Sequence, residues 1–330
     1  MAPASVMRVT ALCAALIMLT AFGPRAGAQP DGDYPNRTIK IVVGFAAGGG
    51  NDIFARIVGQ KLQDSLGQSV IIENKVGAGG RVAAEAVAAA PPDGYTLLVG
   101  ASGAMAVIPA ISVKPPYVTL KDFVPVTMIA AFPLMLVVHP SHPAKTVAEL
   151  VDWAKANPDK ANYASSSPAF TLATELFKLK TGAPGTAIPY KSSNESLVSV
   201  IGEQSALTIA DPPPATPMVK GGQLRALAVT ADKRLDDLPD VPTMAEAGVG
   251  DVNVGLWSGF FVPAGTPPEV VRKLDTEIRR IMQLADVKER FKAMATPIRV
   301  LGSAEFARLI DAETKVWAEV GQRANVKLAY

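Results

Sequence analysis

Three short turns rich in small residues are the parts of this sequence that could bind a ligand. The first runs over residues 45–52, between an apolar run typical of a buried strand and a pattern typical of a helix. Its glycines let the backbone turn sharply and let a ligand approach closely. A helix that begins here would present unpaired N–H groups and the positive end of its dipole, which suits a carboxylate or a phosphate. Alternatively, the stretch is only a tight connection between a strand and a helix. Its candidate binding residues are Phe45, Ala47, Gly48, Gly49, Gly50, Asn51 and Asp52.

The other two turns also combine small residues with a following helix. Residues 100–103 include the hydroxyl of Ser102, and residues 164–170 include Ser165, Ser166 and Ser167. Tyr190 and Asp211 follow predicted strands in the same way, and each is either a ligand contact or part of the packing at a hinge. Together these groups favour a small anion, especially one with a carboxylate at each end.

The sequence lacks the common motifs for catalysis and cofactor binding. The chain has no Gly-x-Ser-x-Gly, and the glycines at 48–50 continue into neither a P-loop nor Gly-x-Gly-x-x-Gly. The two histidines, His139 and His142, indicate a solvated turn rather than a metal site, because no cysteine or acidic cluster accompanies them. The sequence therefore predicts no catalytic residue, no metal and no cofactor. An enzyme that uses Ser165–Ser167 is an alternative, although no base lies within sequence reach.

The N-terminal segment has the pattern of a secretory signal peptide. Arg8 precedes an apolar run over residues 9–22, and Ala26-Gly-Ala28 offers the small residues that a signal peptidase reads. The run is short for a bilayer, which disfavours a transmembrane anchor. We therefore expect cleavage near Ala28 and export to the periplasm.

Loss of the leader changes the charge and cysteine content of the chain. Removing Arg8 and Arg25 from the 32 basic residues leaves 30, which equals the 30 acidic residues. No basic tract remains, which argues against nucleic-acid binding. The only cysteine, Cys13, is also lost, so the mature chain has no disulfide and no thiolate site.

Strand and helix patterns alternate in two series, which predicts two α/β lobes with parallel strands. Extended runs at 126–138 and 252–262 would carry the chain between the lobes. The predicted organisation is a signal peptide at 1–28, one lobe at 29–130 plus 254–330, and a second lobe at 131–253. The turns of both lobes would face a cleft, where open α/β sheets bind ligands. Thr146 and Thr266, each three residues before a glutamate, predict capping boxes that open helices.

Short motifs along the whole mature chain resemble the periplasmic substrate-binding receptors of tripartite tricarboxylate transporters, also called Bug-type receptors. The matching residues are Tyr34-Pro-x-Arg37, the turn at 45–52, Glu73-Asn74 with Gly77-Ala-Gly-Gly80, Pro92-Asp-Gly-Tyr95, Asp122-Phe-x-Pro-Val126, Pro189-Tyr-Lys191, Leu224-Arg-Ala-Leu-Ala-Val-Thr230, Asp240-Val-Pro-Thr243 with Glu246-Ala-Gly248, and Pro263-Ala-Gly-Thr-Pro267. The chain departs from the family pattern at Lys75-Val76 and at Ser192, which alters loop shape.

The resemblance implies an α/β fold of the type II periplasmic-binding-protein kind, with two lobes that close on a ligand in the cleft between them. It implies a small carboxylate ligand, held between the turns at 45–52 and 164–171 through backbone groups and waters, which adds Thr171 to the candidate residues. Phe45 and Phe170 either face an aromatic or long aliphatic ligand or belong to the core.

The expected role is capture of a dicarboxylate, tricarboxylate or aromatic carboxylate and its delivery to the membrane permease of a tripartite tricarboxylate transporter, by a monomeric receptor. A receptor that presents its ligand to a periplasmic sensor kinase is an alternative from a different class.

Overall fold

The computed structural model describes residues 34–250, 252, 254–323, 327 and 328, and the predicted signal peptide lies outside these described residues. The strands are β1 (Ile39–Val43), β2 (Val70–Asn74), β3 (Thr96–Ala101), β4 (Phe123–Pro133), β5 (Met135–Val138), β6 (Tyr163–Ser165), β7 (Ala187–Pro189), β8 (Leu207–Ala210), β9 (Arg225–Val229), β10 (Gly255–Pro263) and β11 (Ile298–Gly302). The α-helices are α1 (Gly50–Leu66), α2 (Arg81–Ala88), α3 (Ile108–Ile111), α4 (Thr119–Asp122), α5 (Val147–Ala156), α6 (Pro168–Thr181), α7 (Ser193–Ile201), α8 (Pro212–Lys220), α9 (Pro268–Ile281), α10 (Ala285–Ala293) and α11 (Ser303–Arg323). A 3-10 turn covers Ala78–Gly80 and a π-helical turn covers Gly103–Val107.

Two sheets divide the chain into two lobes. The six-stranded sheet has the order β11-β4-β10-β3-β1-β2 and forms lobe 1, and the five-stranded sheet has the order β7-β6-β8-β5-β9 and forms lobe 2. The chain enters lobe 2 at Leu134, between β4 and β5, and returns to lobe 1 through β10. The predicted pair of α/β lobes is confirmed, whereas the exact lobe boundaries stay a prediction.

The prediction of parallel strands is wrong for three of the five pairings in the lobe 1 sheet, including β11 with β4, and for two of the four in the lobe 2 sheet. β1 pairs in parallel with β2 and β3, and β6 with β7 and β8. In contrast, β10 is antiparallel to β3 and β4, and β5 is antiparallel to β8 and β9. The two crossing strands β4 and β10 carry the chain out of lobe 1 and back into it. They therefore run in opposite directions where they pair, which the alternation of strands and helices did not reveal.

Thr230 joins the two crossings where they meet. Its hydroxyl accepts a hydrogen bond from the Leu134 N–H at 2.7 Å and donates one to the Val254 carbonyl at 2.6 Å. The Thr230 N–H donates to the Leu134 carbonyl at 2.9 Å. This buried hydroxyl thus fixes both connections between the lobes at one point.

Each lobe has its own apolar core. In lobe 1, the predicted apolar face of α1 is formed by Ile57, Val58 and Leu62, together with Phe54, which is fully buried and stacks on Phe291 of α10 at 5.1 Å between ring centroids. Ile53, predicted on that face, is only half-buried. Lobe 2 has a separate cluster around β5, β8 and β9. Burial of each of these large apolar side chains stabilises the folded state by about 2 kcal/mol. In lobe 1 this burial holds α1 against the sheet.

Most helix ends follow the sequence signals. Gly67 ends α1 with a φ of 66°, as a left-handed C-cap does. Thr146 is the N-cap of α5, where its hydroxyl accepts from the Glu149 N–H at 3.2 Å, so the first predicted helix start is confirmed. The Glu149 carboxylate accepts from the Lys145 N–H instead of the Thr146 N–H, so the capping box lacks its reciprocal bond. The second predicted capping box is wrong, because Pro267 is the N-cap of α9 and the Thr266 hydroxyl donates to the Pro263 carbonyl instead. Among the described helices, none is both long and apolar enough to cross a bilayer.

Candidate ligand-binding cleft

A small cavity of about 20 Å³ lies between the two lobes. That is room for one or two water molecules, so the lobes are nearly closed around it. Its walls come from both lobes and from the two crossing strands. The lining residues are Phe45, Gly49, Gly50, Asn51, Ala101, Gly103, Phe132, Ser166, Ser167, Ala169, Phe170, Ser193, Asp211, Leu256 and Trp257.

Five helical segments begin at the wall of this cavity. Gly49 is the N-cap of α1, Ser167 the N-cap of α6 and Asp211 the N-cap of α8, while Ser193 is the first residue of α7 and Gly103 the first of the π-helical turn. In four of these segments the first N–H groups have no partner within the helix, whereas α8 begins with three prolines and contributes only the positive end of its dipole. None of the lining residues is a lysine, an arginine or a histidine. The positive field in the cavity therefore comes from backbone, and it favours an anion.

The turn before α1 is held by a buried carboxylate. Asp52 accepts hydrogen bonds from the Gly48 N–H at 3.0 Å and from the Arg56 guanidinium at 2.9 Å. The Asn74 amide donates both to Asp52 and to the Phe45 carbonyl, each at 2.9 Å. This network ties both ends of the turn to β2. The Asp52 side chain does not line the cavity but positions the residues that do.

The electrostatics of Asp52 agree with this role. Burial by itself would raise the pKa of the carboxyl, but hydrogen bonds from Arg56, the Gly48 N–H and Asn74 outweigh burial and lower the pKa below its usual 3.8. Asp52 is therefore ionised at neutral pH, and its negative charge is neutralised inside lobe 1 rather than offered to a ligand.

The serine turn of lobe 2 contains two kinds of residue. The hydroxyls of Ser165 and Thr171 lie 2.9 Å apart, and each is within hydrogen-bond distance of the Ser167 carbonyl. One hydroxyl can donate to the carbonyl while the other donates to its neighbour, so both close the turn and neither residue lines the cavity. Ser166 and Ser167 line it, as does Phe170, which is 8 % exposed. The aromatic rings of Phe45 and Phe170 are thus both buried and part of the cavity wall, so the two alternatives for them are compatible.

Four other predicted residues lie outside the cavity wall. Ala47 is exposed and Gly48 is half-buried at the rim of the first turn. Ser102 is buried beneath the wall, where its hydroxyl accepts from the Trp257 N–H at 3.4 Å. Tyr190 directs its hydroxyl towards Ser205 at 3.4 Å. A ligand role for these four stays a prediction that the cavity does not support by contact.

Seven lining residues were not predicted from the sequence. They are Ala101, Gly103, Phe132, Ala169, Ser193, Leu256 and Trp257. Phe132, Leu256 and Trp257 belong to the crossing strands, which form the floor of the cleft. These three residues lie in the extended runs that were predicted to connect the lobes. Segments that join two lobes must pass beneath the space between them, so the runs themselves could have been predicted to line the cleft.

Contacts between the lobes close the cavity on its sides. A Cβ atom on Gly50 would collide with the Asp211 carboxylate, and one on Gly79 would collide with Pro168. A Cβ atom on Gly49 would lie 3.5 Å from the Ser192 Cβ, an ordinary contact distance. The glycines at 49 and 50 thus allow the backbone of lobe 1 to approach lobe 2 closely.

A metal centre is a further possibility for any cleft with acidic groups. Among the residues that the structure describes, no group of three or more histidine, cysteine, aspartate or glutamate side chains could hold a metal ion. His139 pairs with the Ser141 hydroxyl at 2.7 Å, and His142 packs edge-on against Trp153, with both histidines at the far end of lobe 2.

Comparison with known proteins identifies the family. Residues 54–326 match the sequence profile described as "Tripartite tricarboxylate transporter family receptor". The chain is 36% identical over 328 residues to Protein BugT of Bordetella pertussis (strain Tohama I / ATCC BAA-589 / NCTC 13251), an alignment that covers 98% of this chain and 100% of BugT.

Two solved structures are also similar over most of the chain. Rpa4515 of R. palustris with adipate has a TM-score of 0.85 and 34% identity, covering 89% of this chain and 99% of that one. MatC (Rpa3494) from Rhodopseudomonas palustris with bound malate has a TM-score of 0.83 and 32% identity, and the match covers 87% of this chain and 99% of MatC. The fold is that of periplasmic binding proteins, as the resemblance implied. These relatives are binding proteins rather than enzymes. The chain therefore belongs to the tripartite tricarboxylate transporter receptor family, whose members are periplasmic solute-binding proteins.

Proposed function

We propose that this receptor captures a small organic carboxylate, such as a dicarboxylate, a tricarboxylate or an aromatic carboxylate, in the interlobe cleft and delivers it to the membrane permease of a tripartite tricarboxylate transporter. The observation that carries the proposal is the convergence of five helix starts from both lobes on a cavity without a cationic side chain, and four of these starts have N–H groups in their first turn. Backbone N–H groups would hold the carboxylate, since they are the only concentrated positive charge at the wall. The adipate and malate bound to the two similar structures support this class of ligand.

Closure would couple binding to delivery. A ligand that contacts α1 from one side and α6 or α7 from the other binds the closed form better than the open form, and so shifts the population towards closure. The permease would recognise the closed pair of lobes. Export to the periplasm after cleavage near Ala28 remains part of this proposal.

A thermal-shift screen with carboxylates tests the proposal. At a ligand concentration of 100 Kd, binding stabilises the folded state by about 2.7 kcal/mol, which for a chain of this length should raise the melting temperature by about 4 °C. Adipate and malate are the first probes, followed by aromatic carboxylates. If sugars raise the melting temperature while every carboxylate leaves it unchanged, the carboxylate assignment is wrong.

Gly49→Leu tests the site itself. The φ of −77° at Gly49 suits any residue, so the variant should fold, but the larger side chain would stand between α1 and Ser192 and prevent closure. We expect the ligand-induced shift to disappear while the melting temperature without ligand stays within about 2 °C of wild type. Gly202→Leu is the matched control, because Gly202 has a similar φ of −82° and lies exposed at the end of α7, away from the cavity. Equal ligand responses in the two variants would remove Gly49 from the site.

A further inference from the structure

Asp211 occupies the N-cap position of α8 but does not cap it. Its side chain makes no hydrogen bond to the first turn of that helix. The reason is in the sequence, since Pro212, Pro213 and Pro214 follow, and proline has no N–H to donate. An aspartate at an N-cap ordinarily accepts from the second or third amide of its helix. Here those donors do not exist, so the carboxylate is left for another partner.

The two oxygens of this carboxylate have different surroundings. Oδ2 lies against Gly50, at the start of α1 in the opposite lobe. Oδ1 is buried and has no hydrogen-bond partner among the described residues, and the same is true of the Ser193 Oγ. Both side chains line the cavity, with exposed fractions of 3 % for Asp211 and 5 % for Ser193. Two neighbouring polar groups of lobe 2 are thus unsatisfied at the cavity wall.

A buried acceptor without a donor is unfavourable. Burial raises the pKa of Asp211 to about 6, and the backbone N–H groups of Asp211 and Gly50 lower it only in part. The Ser193 hydroxyl lies close enough to lower this pKa as well, but it is not in hydrogen-bond geometry with the carboxylate. No lining residue supplies a cation. A ligand that brought only carboxylates would add negative charge beside Asp211 and leave its free oxygen unpaired. A ligand with a hydroxyl or an ammonium group next to its carboxylate would satisfy that oxygen.

We propose that the cleft selects carboxylates that also carry a hydrogen-bond donor, and that Asp211, assisted by Ser193, is the acceptor for this donor. The inference rests on the proposed function, because the carboxylate of the same ligand would occupy the helix starts of the cavity. Asp211 is then a specificity-determining residue, and the three prolines after it keep its side chain available to the ligand.

The test compares ligands that differ only in the donor. Isothermal titration of the mature protein at pH 7.5 would use succinate, malate and aspartate as one set, and adipate, 2-hydroxyadipate and 2-aminoadipate as a longer set. Wild type should bind the hydroxyl or the amino member of a set at least roughly tenfold more tightly than the unsubstituted member. In Asp211→Asn, the preference for the amino member should fall by roughly tenfold or more, because the amide carries no charge. Affinity for the unsubstituted member should stay the same or rise, because a negative charge beside its carboxylate is removed. The two substituted members distinguish an ammonium from a hydroxyl as the natural donor.

Two further variants keep the test independent of folding. Asp159→Asn is the control, since Asp159 is exposed at the far end of lobe 2, and it should leave every affinity unchanged. Ser193→Ala removes only a hydroxyl and should reduce the same preference, by less than Asp211→Asn does. The inference is overturned if wild type binds the unsubstituted members as tightly as the others, or if Asp211→Asn weakens all members of a set equally. If no carboxylate binds to wild type at all, the proposed function fails first, and this inference fails with it.

Discussion

Two buried carboxylates at the cleft have opposite surroundings. Asp52 is surrounded by donors from Gly48, Arg56 and Asn74, whereas one oxygen of Asp211 has no hydrogen-bond partner among the described residues. The first carboxylate stabilises the turn, and we propose that the second accepts a hydrogen bond from the ligand. The difference arises from local sequence, because an arginine follows Asp52 by four residues on the same helix face and prolines follow Asp211.

Asp52→Asn should destabilise the fold in a pH-dependent way. The variant keeps the shape of the side chain but loses the charge that Arg56 and the Gly48 N–H require, which should lower the free energy of unfolding by about 2 kcal/mol at pH 7. The pKa of Asp52 in the folded state lies below its unfolded value of 3.8, so the contribution is complete above that pH and is lost as the pH falls through the folded-state pKa. Urea unfolding from pH 7 to pH 3 should show the two proteins converging below about pH 4.

Asp286→Asn is the control for this prediction. Asp286 also pairs with a cation, Lys61, but its side chain is 54% exposed, so the substitution should change stability far less than Asp52→Asn does. Equal losses for the two variants would show that the buried network around Asp52 is not special. Ligand affinity should fall only in Asp52→Asn, because only that residue holds the turn before α1.

At the scale of elements, the cleft depends on where helices begin. Ser192 caps α7, because its hydroxyl accepts a hydrogen bond from the Glu195 N–H at 3.2 Å. Thr146 caps α5 in the same way, by accepting from the Glu149 N–H. Ser192→Ala and Thr146→Ala should each lower the free energy of unfolding by about 1 kcal/mol. Only Ser192→Ala should also weaken ligand binding, since α7 begins at the cavity wall with Ser193 and α5 does not. Chemical denaturation and titration with the ligand found in the screen would measure both effects. If both variants bind normally at equal loss of stability, the start of α7 does not form part of the site.

At the scale of the whole molecule, the structure is a pair of lobes that meet at 49 and 192. The 3.5 Å between the Cβ position of Gly49 and the Ser192 Cβ lies within the range of a disulfide, about 3.5 to 4.5 Å. The double variant Gly49→Cys with Ser192→Cys should therefore lock the lobes together when oxidised. Cys13 is the only cysteine of the chain, and a protein expressed from Gln29 lacks it, so no other pairing competes.

The oxidised double variant should melt at a higher temperature and should take up ligand far more slowly than its reduced form. Stopped-flow binding with and without a reductant measures the rates, and electrophoresis without a reductant confirms the crosslink. Each single cysteine variant is a control and should not respond to reduction. Rapid binding by the fully crosslinked protein would contradict the idea that the lobes must open to admit the ligand.

The sequence determined the local features of this protein well. Alternation of apolar strands and amphipathic helices predicted two α/β lobes, the capping box at Thr146 predicted the start of α5, and Gly67 predicted the end of α1. Three small-residue turns were correctly placed before helices, and eight of the predicted binding residues line the cavity. They are Phe45, Gly49, Gly50, Asn51, Ser166, Ser167, Phe170 and Asp211. These features could be predicted from the sequence because backbone conformation, helix caps and the periodicity of apolar residues depend on residues close together in the chain.

Only the tertiary structure decided which side chains line the cavity. Asp52 and Ser165 have the same polar character as their neighbours, yet their hydrogen bonds turn them away from the cavity. Trp257 lines the cavity only because an antiparallel strand returns beneath both lobes. The direction of a strand and the partner of a buried polar group are set by contacts between residues far apart in sequence, and a local pattern carries no information about them. For this reason the sequence identified the turns that form the cleft, and only the packed lobes determined which groups on those turns are left for a ligand.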